Sequence, residues 1–136
     1  MNGACHCGAV RFTVRLLDGL DKPRRCNCSY CRMRGAVAVS ALLQDLVVTS
    51  GGEVLSLYQF NTRTAEHHFC SVCGIYTHHR RRSKPDEVGV NVACLEGVSP
   101  FDFACVPVLE GRQHPGDTGT SAIAGHLQYD GLRSKT

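Results

Sequence analysis

The chain carries the sequence CHCG at residues 5–8 and the sequence CSVCG at residues 70–74. Each places two cysteines on a short turn that ends in a glycine. A glycine at this position lets the backbone turn inward and aim its amide groups at the sulfurs. Two such turns that face each other would supply four thiolates to one tetrahedral zinc ion. We therefore predict that a structural ion, held by four thiolates, joins the N-terminus to the middle of the chain; its ligands are Cys5, Cys7, Cys70 and Cys73.

A third cluster, CNCSYC at residues 26–31, differs from these two because it offers only three sulfurs. Cys26, Cys28 and Cys31 can reach one ion and leave a position for water or a substrate thiolate, as open catalytic sites do. A centre rich in soft sulfur favours a thiol substrate over an oxygen substrate. On proximity alone, Asn27 and Arg32 are candidate substrate contacts. The alternative is a second structural site, completed by a histidine or a spare cysteine.

Four arginines flank this middle cluster, at positions 24, 25, 32 and 34. A zinc ion with three thiolates carries net negative charge, which nearby guanidinium groups would offset. The same groups could hold the carboxylates of an anionic ligand through paired hydrogen bonds. The sequence therefore predicts a basic site for a small anionic thiol.

Metal binding has to be weighed against disulfide formation. The chain has nine cysteines, an odd number, so at least one thiol would stay unpaired. The C-x-C spacing is also poor for a disulfide, because side chains two residues apart in a strand cannot easily meet. These observations favour metal over disulfides.

The bulk composition bounds the remaining possibilities. At 136 residues the chain is expected to form a single domain, residues 1–136, with a weakly patterned tail at 111–136. A formal net charge of +3 is too small to indicate nucleic acid binding by itself. No apolar run approaches the length of a bilayer span. Because the first cluster begins at residue 5, there is no room for a signal peptide, and we expect a cytoplasmic protein.

Short strands separated by turns dominate the pattern. Val10, Phe12 and Val14 alternate with polar residues, which is typical of a strand with one buried face. Residues 42–46 could form one helical turn. Pro100 precedes the apolar residues 101–109 and Pro107 interrupts them, which predicts an edge strand or irregular segment. In the tail, four apolar residues could dock lightly before frayed final residues; they are Ile123, Leu127, Tyr129 and Leu132.

The other histidines and cysteines are less informative. The pairs His67-His68 and His78-His79 flank the third cluster, and neighbours on a strand point to opposite faces. Either pair could complete the middle site or carry a proton, but we favour an exposed surface role. Residues 80–84, RRRSK, are expected to form a solvated loop. Apolar surroundings predict that both remaining thiols, Cys94 and Cys105, are packed in the core.

The three clusters in this order resemble the glutathione-dependent formaldehyde-activating enzyme family, which includes the centromere protein V type. The matching strings are GACHCGAVRF at 3–12, CNCSYCR at 26–32 and FCSVCG at 69–74, and the similarity runs over residues 3–97. The resemblance implies a mainly β fold, a small β-tent of packed antiparallel sheets around a zinc ribbon-like centre. It also implies two zinc ions per chain, one structural in the first and third clusters and one catalytic in the middle cluster.

The function that follows is a zinc-dependent carbon–sulfur lyase acting on a small thiol adduct. The family's named reaction condenses glutathione with formaldehyde to S-hydroxymethylglutathione, so glutathione is the expected partner. We expect no membrane partner; nucleic acid is the less favoured ligand, and a homodimer is compatible with the sequence. The alternatives are a non-catalytic zinc-binding module that contacts nucleic acid or protein, and a redox or metal-handling protein.

Overall fold

The computed structural model describes residues 1–112 and 122–132. Within these residues the protein is mainly β-structure with one α-helix, which confirms the expected fold class. The strands in chain order are β1 (Asn2–Ala4), β2 (Arg11–Leu16), β3 (Arg25–Cys26), β4 (Ala38–Ser50), β5 (Leu55–Tyr58), β6 (Glu66–Cys70), β7 (Tyr76–Arg80), β8 (Glu87–Asn91), β9 (Cys105–Leu109) and β10 (Ile123–Gln128). The helix is α1 (Ser29–Arg34), and short 3-10 turns span Gly52–Val54, Val92–Cys94 and Pro100–Asp102.

Seven strands form one sheet in the order β1-β2-β4-β8-β7-β6-β5. Every neighbouring pair in this sheet is antiparallel. A second sheet has the order β10-β9-β3, in which β9 is antiparallel to β10 and parallel to β3. Because β3 leads directly into the middle cysteine cluster, the smaller sheet sets the position of that cluster.

The main hydrophobic core lies on three neighbouring strands of the large sheet. In β2, Phe12 and Val14 are buried between exposed residues, which confirms the predicted alternation. Val39 of β4 and Val88 and Val90 of β8 belong to the same cluster. All five residues of β8 are buried, as expected for a strand in the middle of a sheet. The core therefore anchors β8, and β7 pairs directly with it.

Helix α1 is a short element defined by its two ends. Cys28 is the N-cap, and its sulfur accepts a hydrogen bond from the backbone N–H of Cys31. Gly35 ends the helix in the left-handed conformation, with φ of 72°. The helix is only six residues long, and none among the described residues has the length and apolar character needed to cross a bilayer.

The prediction of a helical turn at residues 42–46 is wrong. These residues lie within the 13-residue strand β4, which pairs with β2 on one side and β8 on the other. Leu42 pairs with Glu87, and Leu46 pairs with Val14. The hydrogen bonds of two ladders outweigh the weak local preference for helix.

The C-terminal region also differs from expectation. Residues 105–109 form β9, which lies between β10 and β3 and is not an edge strand. The ladder to β3 begins only at Val108, just after Pro107, so the missing amide of the proline interrupts no pair in that ladder. The tail pairs with β9 through the backbone of β10, but the four apolar side chains expected to dock it all remain exposed; they are Ile123, Leu127, Tyr129 and Leu132. The predicted frayed residues, 133–136, lie outside the described residues.

A tight turn after β4 brings the chain back against residue 9. Gly51 lies in this turn with φ of 78°, and a Cβ atom there would overlap the carbonyl oxygen of Ala9. The next residue, Gly52, does not have a positive φ, and the nearest atom to a Cβ there would be Val48 Cγ1 at 3.9 Å. Only the first of the two glycines is therefore required by the geometry.

We predict that Gly51→Ala lowers the free energy of unfolding by at least about 2 kcal/mol, because it adds both backbone strain and a clash with a carbonyl oxygen. Gly52→Ala is the matched control and should change it by no more than about 0.5 kcal/mol. Chemical denaturation of the two variants tests this. Equal stability of the two proteins would contradict the assigned turn geometry.

Candidate metal centres and the basic cavity

The first and third clusters bring their four sulfurs together. The ligand atoms of Cys5, Cys7, Cys70 and Cys73 all lie within 4.8 Å of one another. The sulfur of Cys7 is 3.6 Å from that of Cys5 and 3.7 Å from that of Cys70. A tetrahedral zinc ion with bonds of about 2.3 Å separates its sulfurs by about 3.8 Å. The donor set and its spacing therefore fit a zinc ion.

The two turns have matching geometry, as their sequences suggested. Gly8 and Gly74 both have positive φ, 81° and 79°, and each donates its N–H to the carbonyl of the first cysteine of its turn. Backbone amides also reach sulfur: Val10 donates to Cys5 at 3.3 Å, and Val72 donates to Cys70 at 3.4 Å. Such bonds stabilise thiolates, so both turns are arranged for metal ligands.

The middle cluster brings its three sulfurs together as well. The ligand atoms of Cys26, Cys28 and Cys31 lie within 4.8 Å of one another, and no fourth cysteine, histidine or carboxylate joins this group in the described part of the chain. Cys26 ends β3, and the other two belong to the first turn of α1. Hydrogen bonds from the neighbouring thiols lower the pKa of the Cys28 thiol, so this residue readily supplies a thiolate. The donor set fits a three-thiolate zinc ion.

Arg34 connects this cluster to the large sheet. Its Nη2 donates to the sulfur of Cys31 at 3.3 Å, and its Nη1 lies 2.9 Å from Nδ1 of His67. The guanidinium also stacks on the ring of Tyr76, with its central carbon 3.8 Å from the centroid. Since a guanidinium only donates, His67 Nδ1 is the acceptor, and the neutral imidazole carries its proton on Nε2.

The expectation that the histidine pairs are exposed is wrong. His67 is 4% exposed and His78 is 7% exposed, because the pairs lie opposite each other on β6 and β7. His67 stacks on His79, and His68 stacks on His78. Burial is the main cause that lowers the pKa of His67 to about 4 and that of His78 to about 3. These rings are therefore neutral at physiological pH.

A cavity of about 880 Å³ opens beside the middle cluster. His67 and His79, one from each pair, line it, and Glu110 is the one acidic residue among its described lining residues. The cationic residues that line it are Arg24, Arg25, Arg32, Arg34, Arg81, Arg82, Lys84 and Arg112. Such an excess of cations around a concave space favours a small anionic ligand.

The run of basic residues at 80–84 is not simply a solvated loop. Arg80 ends β7, and Arg81 forms an ion pair of 3.0 Å with Glu87. The side chain of Arg81 is only 17% exposed, and it lines the cavity. The loop therefore contributes positive charge to the candidate site. The sequence alone, a run of like charges, did not indicate this.

Both predicted substrate contacts, Asn27 and Arg32, line the cavity. Arg32 is exposed on α1. Asn27 also holds the C-terminal segment: its Oδ1 accepts from the N–H of Gly111 at 2.7 Å, and its own N–H donates to the carbonyl of Leu109. Their contact with substrate stays a prediction.

Gly111 is a site residue that the sequence did not indicate. A Cβ atom at this position would overlap the sulfur of Cys26 and lie 2.9 Å from Cβ of Cys28. The residue follows the last cysteine of the cluster by 80 positions and lies outside the strings that carried the resemblance. Only the pairing of β3 with β9 brings it there.

The remaining thiols give one confirmation and one correction. All nine cysteines are free, which agrees with the preference for metal over disulfides. Cys94 is buried, as predicted, but Cys105 is exposed. Cys105 begins β9, where its neighbour Val106 takes the inward position. Because side chains alternate between the two faces of β9, Val106 is buried and Cys105 is exposed.

A sequence model of the glutathione-dependent formaldehyde-activating enzyme family matches residues 1–106, which include all seven clustered cysteines. The chain belongs to this family. A Halomonas elongata protein that carries the family name is 40% identical over 82 residues, covering 54% of this chain and 51% of that protein. The chain thus spans about half the length of this curated relative.

The crystal structure of a Rhodobacter sphaeroides protein is similar to the present chain over most of the length of this chain. The two are 62% identical with a TM-score of 0.78, and the match covers 79% of this chain and 99% of the other. The family match ends before Gly111. The segment that closes over the middle cluster is therefore not part of the matched family region.

We predict that Cys70→Ser, or removal of metal by a strong chelator, leaves the protein largely unfolded, because a structural zinc site contributes on the order of 10 kcal/mol to folding. Circular dichroism and zinc content measure the effect. Cys105→Ser is the matched control, since this exposed thiol lies outside both clusters. A folded Cys70→Ser protein with the stability of the control would contradict the structural role.

We also predict that Gly111→Ala weakens metal binding at the middle cluster by about tenfold or more, because the added methyl displaces Cys26. Competition with a chromophoric chelator, and the absorption spectrum after cobalt substitution, would report it. Gly125→Ala is the control, since no atom lies within 4 Å of a Cβ at that position. The packing argument fails if both variants bind metal like the unaltered protein.

Proposed function

We propose that the protein is a zinc-dependent carbon–sulfur lyase that forms or cleaves a small thiol adduct, with S-hydroxymethylglutathione as the first candidate. In the synthetic direction a bond forms between the thiol sulfur and the aldehyde carbon, and the thiol proton ends on the aldehyde oxygen. One observation carries this proposal: three sulfurs, and no fourth protein ligand among the described residues, converge beside a cavity lined by cations. The names of the family and of its Halomonas relative support glutathione and formaldehyde as the reactants.

The chemistry of the middle cluster supports the proposed lyase reaction. A zinc ion bound by Cys26, Cys28 and Cys31 would lower the pKa of the incoming thiol and polarise the aldehyde oxygen. The proposed second ion, held by the first and third clusters, would serve the fold alone. Two ions per chain is thus part of the proposal, and so is a cytoplasmic location, which suits nine free thiols.

The residues around the cluster would bind and orient the reactants. Arg34 offsets the negative charge of the thiolates through its bond to Cys31. The Nε2–H of His67 is a hydrogen-bond donor on the wall of the cavity, and it is suited to the oxygen of the aldehyde or of the adduct. Arg32 and Asn27 remain candidate contacts of the glutathione moiety. Because thiols add to formaldehyde readily, orientation of the two reactants is the main contribution required of these residues.

A non-catalytic role has one observation in its favour. The rings of Tyr58 and Phe60 lie 5.2 and 5.7 Å from that of Tyr30, beside the cationic cavity. Aromatic rings interleaved with cations are typical of sites that bind single-stranded nucleic acid. We rank this second, because a concave cavity of about 880 Å³ suits a small ligand better.

The test measures the rate at which glutathione and formaldehyde interconvert with their adduct, by exchange NMR with carbon-13 formaldehyde. We predict that the zinc-loaded protein accelerates interconversion, and that Cys28→Ser lowers the catalysed rate by about 100-fold or more while the protein stays folded. Cys105→Ser should keep the full rate.

Two results would contradict the proposal. One is a zinc-loaded, folded protein that leaves the interconversion rate at its uncatalysed value. The other is a Cys28→Ser variant that retains the full rate. Tight binding of a single-stranded oligonucleotide at physiological salt, without catalysis, would instead support the binding module.

A further inference from the structure

Two buried guanidinium groups converge at one wall of the basic cavity. Arg24 Nη1 donates to the hydroxyl oxygen of Ser40 at 2.7 Å, and Arg81 Nη1 approaches the same oxygen at 3.5 Å. Arg81 also pairs with Glu87 at 3.0 Å, and the ammonium of Lys84 lies 3.9 Å from that carboxylate. Two cations therefore share the carboxylate of Glu87, and Arg24 lies beside them against Ser40.

Arg24 itself forms no ion pair with a carboxylate within the described part of the chain, although the nearby Glu87 offsets part of its charge. The Nη2 of Arg24 is buried and has no hydrogen-bond partner among residues 1–112 and 122–132. An arginine guanidinium stays cationic at neutral pH. A buried cation without a full set of acceptors lowers stability. Such an arrangement calls for an anion on the cavity side.

The position of this pair relative to the cysteines is favourable for a ligand. Arg24 and Arg81 line the same cavity as the three sulfurs of the middle cluster. Together with Lys84, they also line an adjoining cavity of about 220 Å³, so they form the wall where the two spaces meet. Glu110, the acid in the larger cavity, already pairs with Arg112 at 3.0 Å and does not compensate them.

We propose that Arg24 and Arg81 form a subsite for an anionic oxygen group, a carboxylate or a phosphate, carried by the ligand whose sulfur reaches the middle cluster. This inference rests on the proposed function and adds the residues that select the ligand. Guanidinium groups match the planar oxygen pairs of such anions through parallel hydrogen bonds. A thiol without an anionic group would lack these hydrogen bonds and would bind less tightly.

The first experiment tests anion binding without thiol or aldehyde, so its outcome does not depend on catalysis. The zinc-loaded protein is titrated with sodium phosphate and with sodium acetate against sodium chloride at equal ionic strength, and calorimetry gives the affinity. We expect at least one anion to bind more tightly than chloride and to raise the unfolding temperature. A larger effect of phosphate indicates a phosphate group on the ligand, and a larger effect of acetate indicates a carboxylate.

Arg24→Gln and Arg81→Gln should each weaken anion binding by about tenfold or more, because each removes charged hydrogen bonds. Arg15→Gln, at an exposed position of β2 outside the cavity, is the matched control and should bind like the unaltered protein. In chloride alone, Arg24→Gln should be at least as stable as the unaltered protein, since the substitution removes a buried charge. A purely structural arginine would instead lower stability when replaced.

Three results would overturn the subsite: no anion-specific binding to the unaltered protein, undiminished binding in both arginine variants, or loss of binding in Arg32→Gln while Arg24→Gln retains it. If the lyase activity is present, Arg24→Gln should raise KM for glutathione about tenfold and leave KM for uncharged 2-mercaptoethanol unchanged. Anion binding without any lyase activity would preserve the subsite and remove the proposed function.

Discussion

The four-sulfur cluster of Cys5, Cys7, Cys70 and Cys73 is the constraint on which the large sheet depends. The first two cysteines follow β1 at one edge of the sheet, whereas Cys70 ends β6, next to the opposite edge. Five strand spacings separate β1 from β6, roughly 24 Å in a flat sheet. The sulfurs nevertheless lie within 4.8 Å of one another, so the sheet has to curve strongly back on itself. A metal ion bound by these sulfurs would stabilise the curved sheet. The apolar core of a 136-residue chain would then need to contribute less to the stability of the fold.

The middle cluster depends on a different set of contacts. Its first cysteine ends a two-residue strand that pairs in parallel with β9, and Arg24 just before this strand forms a bridge to Ala38 of β4. Asn27 bonds to the backbone of residues 109 and 111, and Gly111 packs directly on the cluster. Local spacing brings the three sulfurs within reach of each other, but the C-terminal segment determines their surroundings. The smaller sheet thus contributes to the middle cluster, whereas the ligands of the four-sulfur cluster lie on and beside strands of the large sheet.

The cavity concentrates positive charge at a cost in stability. Arg24 and Arg34 each keep a buried nitrogen without a hydrogen-bond partner among the described residues. A buried hydrogen-bond donor without a partner lowers the stability of the fold, and repulsion between like charges lowers it further. The anionic ligand that we propose would supply acceptors for such groups and offset this cost. Neutral histidines add hydrogen-bond donors and acceptors to this wall without adding further positive charge.

The sequence by itself determined the three cysteine clusters, the split into four and three sulfurs and the mainly β fold. These depend on spacings of two or three residues, on glycines with positive φ such as Gly8 and Gly74, and on the alternation of Phe12 and Val14, all of which are local. Only the tertiary structure decided that His67 and His78 are buried, that Arg81 faces the cavity and that Gly111 closes over Cys26. These facts depend on which strands pair, and pairing is set by contacts between residues far apart in the chain. The same physics made residues 42–46 part of β4, because pairing with β8 at Leu42 and with β2 at Leu46 outweighs a weak local preference.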